Sequence, residues 1–68
     1  MNEVTIQVGG MSCQGCVRNV TGVLSVLPGV ATAEVSLEQG IARVTYDPER
    51  VTREVLVGAI EDAGFDAR

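Results

Sequence analysis

Apolar residues alternate strictly at the start of the chain. In Val4-Thr5-Ile6-Gln7-Val8 the odd steps fall on one face, which predicts a half-buried strand that Gly9-Gly10 ends. From Cys16 the period changes. Val17, Val20, Val23, Leu24 and Leu27 recur at helical spacing, and Pro28-Gly29 stops the run. Gly22 and the β-branched valines lower its intrinsic helix propensity, so packing must hold this helix. Alternation returns in Ala31–Leu37, which predicts a second strand with Ala31, Ala33, Val35 and Leu37 on one face. Glu38-Gln39-Gly40 reads as a hairpin turn. Ala42, Val44 and Tyr46 follow as the inward set of a third strand, closed by Asp47-Pro48. Thr52 is placed to cap a second helix, with Val55, Leu56, Ala59, Ile60 and Ala63 on one face and Gly64 just beyond its end. Phe65–Arg68 is enough for a short last strand.

The order is β-α-β-β-α-β, and both halves run helix, glycine, strand. This predicts an α+β, ferredoxin-like sandwich: a four-stranded antiparallel sheet with two helices on one face. Its expected buried set is Val4, Ile6, Val8, Val20, Leu24, Leu27, Val35, Val44, Leu56 and Ile60. With 68 residues and no linker or low-complexity stretch, residues 1–68 read as a single domain.

Composition narrows the function. The aromatic content of 3% offers no base-stacking platform. Five basic residues against nine acidic ones give a net charge of −4, and none of the five is Lys, so no row of phosphates can be neutralised and nucleic acid is excluded as a partner. No His is present, which removes the commonest general base and the nucleophile–His pairs. No apolar run approaches the roughly 20 residues of a membrane span, and the first residues lack the pattern of a signal peptide. The expectation is a cytoplasmic protein, where thiols stay reduced.

Two cysteines, Cys13 and Cys16, keep chemical reach. They lie where the loop after the first strand enters the first helix, and helix N-terminal amides with the positive end of the dipole favour thiolate there. Three-residue spacing lets both sulfurs converge on one ion. Two soft donors with no third Cys and no His suit a low-coordinate soft cation such as Cu(I), whereas a structural zinc site needs about four ligands. A thiol–disulfide redox pair uses the same helix-start physics and remains an alternative. Met11 reads as a gap-filling core residue, with service as a third thioether ligand the competing role. Arg18 is placed either to screen the thiolates or to stand as a plain surface charge, and Glu54, Glu61, Asp62 and Asp66 read as a solvated face.

Gly10-Met11-Ser12-Cys13-Gln14-Gly15-Cys16 resembles the Gly-Met-x-Cys-x-x-Cys signature of heavy-metal-associated domains. These are the copper chaperones and the amino-terminal metal-binding domains of copper-transporting P-type ATPases. The resemblance extends to Pro28-Gly29-Val30, to Val44–Pro48 and to Ala63-Gly64-Phe65. It implies that Cys13 and Cys16 ligate Cu(I), that Met11 points inward beneath the loop, and that the metal passes to a copper-transporting ATPase or its metal-binding domains, with a metal-bridged dimer also possible in the family. It implies carriage, not enzymatic turnover. Zinc-exporting relatives often carry Asp before the first Cys, where this chain has Ser12, while mercury-binding relatives share sites of this kind. Phe65 occupies a position where many bacterial chaperones have Tyr, and Phe is frequent in the ATPase domains.

Overall fold

The computed structural model describes the whole chain, Met1–Arg68. Its elements are β1 (Asn2–Gly9), α1 (Gln14–Ser25), β2 (Val30–Ser36), β3 (Ile41–Tyr46), α2 (Arg53–Asp62) and β4 (Asp66–Ala67). The four strands form one antiparallel sheet in the order β2-β3-β1-β4. Register stacks the inward residues in rows: Ile6 faces Ala42, which faces Val35, and Val4 faces Val44, which faces Ala33. These rows meet Val20 and Leu24 of α1 and Leu56 and Ile60 of α2 in one apolar cluster. Thr5, Gln7 and Arg43 stay exposed on the opposite face, so both helices cover the same side of the sheet. No helix is long and apolar enough to cross a membrane.

The helix ends follow from their residues. The Thr52 hydroxyl accepts the N–H of Val55 at 3.3 Å, as the capping position requires. At the far end of α2, Gly64 adopts φ +98, its N–H bonds to Glu61, and the N–H of Phe65 reaches the carbonyl of Ile60. That pair of bonds is a Schellman ending, and the left-handed residue at its centre favours glycine.

The packing departs from the sequence expectation in five places. Helix α1 begins at Gln14 instead of Cys16, and it ends at Ser25, so Leu27 reaches the core from outside the helix. A bulge between Val30 and Thr32 puts Ala31 out of phase: Val30 turns toward the core and Ala31 is exposed, reversing the predicted face at that end of β2. Val55 is 47% exposed, because it lies at the edge of the helical stripe whose centre is Leu56 and Ile60. Val51, which the periodicity does not pick out, is buried. Val4, Leu27 and Val35 are only half-buried. Val35 lies on an edge strand, and β4 pairs with β1 only around Gln7, Val8 and Gly9, leaving nothing beside Val4.

Candidate metal centre

Cys13 is the residue that opens α1. Its backbone is extended (φ −157, ψ 172), and its carbonyl accepts the N–H groups of Cys16 and Val17. A residue at this position normally turns its side chain back to cap a helix amide, but Cys13 makes no such bond. The sulfur is left exposed. Cys16 sits in the first turn of α1, half-buried, with its sulfur 3.5 Å from that of Cys13. Both are free thiols. The helix geometry brings the pair together: the first turn folds residue 16 back beside residue 13.

The Cys16 thiol is held below its ordinary pKa. The main cause is the backbone N–H of Ser12, and a second is the Cys13 side chain; partial burial acts in the opposite sense. The Ser12 hydroxyl also lies 4.0 Å from the Cys16 sulfur. The lowering thus comes chiefly from the loop's own backbone, a cause that helix-dipole reasoning from sequence did not single out.

No group of three or more His, Cys, Asp or Glu side chains is assembled anywhere in the chain, so no such residue joins the two sulfurs. Met11 is half-buried and packs against the core, as its gap-filling reading expected. Ser12, Gln14 and Arg18 are exposed around the site. Phe65 packs close by: a Cβ built on Gly10 would stand 3.7 Å from its ring. The arrangement is an open two-sulfur clamp on an ordered helix end. It can hold a soft cation in low coordination and leave it accessible, and it lacks the four donors of a closed zinc site.

The profile of the heavy-metal-associated domain matches residues 5–66. The copper chaperone CopZ of Staphylococcus saprophyticus is 48% identical over 68 residues, the full length of both chains. The copper-transporting ATPase RAN1 of Arabidopsis thaliana is 48% identical over 59 residues, which cover 87% of this chain but only 6% of the ATPase. Among solved structures, a copper-binding domain of HMA7, a P-type ATPase, superposes with a TM-score of 0.98 at 40% identity, covering 100% of this chain and 92% of that one.

Proposed function

The chain belongs to the heavy-metal-associated domain family, and from that premise we propose that it carries Cu(I) between Cys13 and Cys16 and exchanges it with a copper-transporting P-type ATPase or one of its metal-binding domains. One observation carries the reading. Two free thiols 3.5 Å apart stand at an exposed helix start with no third donor of the usual kinds. Its relatives support copper as the ion, since CopZ is named a copper chaperone and RAN1 a copper-transporting ATPase.

Two thiolates and one Cu(I) sum to a charge of −1, which the amide-rich helix start tolerates. The two sulfurs, 3.5 Å apart, would hold the soft ion between them in low coordination. Cys13, exposed and without a capping bond, is the sulfur that an incoming thiolate reaches first. An acceptor thiolate adds to the open ion and forms a three-coordinate bridge. The two sulfurs of this chain then leave in turn and take up the protons that the acceptor's thiols released. The metal-bridged pair is this transient, and the cytoplasm, where both partners stay reduced, is the setting. No substrate bond is made or broken, so the activity is carriage and not catalysis.

Stopped-flow transfer to an isolated ATPase metal-binding domain tests the proposal. The exchange mechanism gives an observed rate that rises with acceptor concentration. A rate independent of the acceptor and equal to that of unassisted copper release overturns it.

A further inference from the structure

Gly15 lies inside the first turn of α1, between the two cysteines. Its own backbone does not call for glycine. Its φ is not positive, its conformation is helical, and glycine in a helix is less stable than alanine. Packing does not call for glycine either, because the residue is exposed and a Cβ would find room. That Cβ would stand 3.6 Å from the sulfur of Cys13, an ordinary van der Waals contact. Beyond its chain neighbours and the helix backbone it would touch nothing else within 4 Å. The other glycines inside helices, Gly22 and Gly58, would meet nothing at all within that distance. Gly15 is thus the one helical glycine whose missing side chain bares a reactive atom.

The sulfur it bares is the exposed one of the pair. Cys13 makes no capping bond, so its sulfur has that of Cys16 at 3.5 Å on one side and the empty Gly15 position on another. Ligand exchange crowds this place. For the life of a three-coordinate bridge, an incoming thiolate shares the ion with both sulfurs. One metal–sulfur bond then breaks for the one that formed, with no change of oxidation state. A methyl group in contact with the Cys13 sulfur would leave the resting pair intact and occupy space beside it, and a branched side chain would occupy more.

We propose, resting on the carrier reading above, that Gly15 is a positioning residue for exchange. By presenting no side chain it keeps one flank of the Cys13 sulfur open to an incoming thiol, and α1 is less stable for it.

Three variants test this: Gly15→Ala, Gly15→Val and Gly22→Ala. The last makes the same change in the same helix, away from any sulfur. Urea unfolding of the copper-free proteins should move to higher denaturant in both alanine variants. Modification of Cys13 by N-ethylmaleimide, located by tandem mass spectrometry, should slow about threefold in Gly15→Ala and about tenfold in Gly15→Val. The smaller iodoacetamide should lose no more than about twofold in either, and Gly22→Ala should match wild type with both reagents. Cu(I) transfer to the isolated metal-binding domain of a copper-transporting ATPase should slow in the same order, with chelator-measured affinity within about threefold of wild type. Wild-type reactivity and transfer in both variants at 15 would overturn the assignment. So would equal losses for Ala and Val that ignore reagent size, since those mark lost backbone freedom and not lost space. If Gly15→Val does not fold, Gly15→Ala against Gly22→Ala decides. Failure of the wild type to bind Cu(I) would strike the carrier reading instead, while the modification rates, which need no metal, still decide whether Gly15 keeps Cys13 open.

Discussion

The sulfurs of Cys13 and Cys16 stand 3.5 Å apart, yet the two residues hold very different places: Cys13 caps the helix in backbone only, while Cys16 is inside its first turn. The difference separates stability from binding. Serine at 13 would supply the missing capping oxygen, an interaction worth about 0.5–2 kcal/mol at such positions. Cys13→Ser should therefore raise apo stability, or at least preserve it, and abolish tight Cu(I) binding. Cys16→Ser should abolish binding with no gain from capping. Urea unfolding beside Cu(I) titration checks both; a Cys13→Ser variant that is clearly destabilised would contradict the cap geometry.

Acidity gives a second expectation. The folded Cys16 thiol lies below its ordinary value of 9.0, mainly through the Ser12 N–H. A depressed folded pKa contributes stability that is complete above the unfolded value and lost as pH falls through the folded one. The apo protein should thus gain stability over Cys16→Ser as pH rises toward 9.0, and the difference should level off above it. Denaturant midpoints of the two proteins across that range test the sign; a difference that shrinks with rising pH would refute it. Metal binding requires the same ionisation, so loading should release protons and weaken in acid.

The core makes a third. Leu24 and Ile60 are fully buried, one from each helix. Truncating either to Ala should cost about 2–5 kcal/mol, a large part of the stability of so small a domain. Val55→Ala should cost far less than Ile60→Ala, because the Val55 residue is 47% exposed. Equal losses at 55 and 60 would show the register of α2 to be wrong.

The alternating and helical runs were legible because each buries one face, and Ile6, Val8, Val20, Leu24, Val44, Leu56 and Ile60 all lie in the core as their periodicity requires. Val51 was not legible, since it sits in a turn with no period. It is brought inward by the bond from its N–H to the Asp47 carbonyl, and it packs over Gly29, where a Cβ would stand 3.1 Å from its Cγ1. The bulge at Ala31 was equally hidden, because one extra residue in a ladder leaves no mark in a two-residue period. At the site, spacing and the loop–helix junction marked both cysteines. The Ser12 backbone that lowers the Cys16 pKa is not a side chain, and no side-chain pattern announces it.

An anaerobic Cu(I) competition titration against a chromophoric chelator, run beside Zn(II) and Hg(II) and beside the Cys13→Ser and Cys16→Ser variants, decides whether the two thiols hold copper. One tightly held Cu(I) per chain, much weaker Zn(II), and loss of tight Cu(I) binding in both variants are expected. Stoichiometric, tight Cu(I) binding that survives either substitution would contradict it.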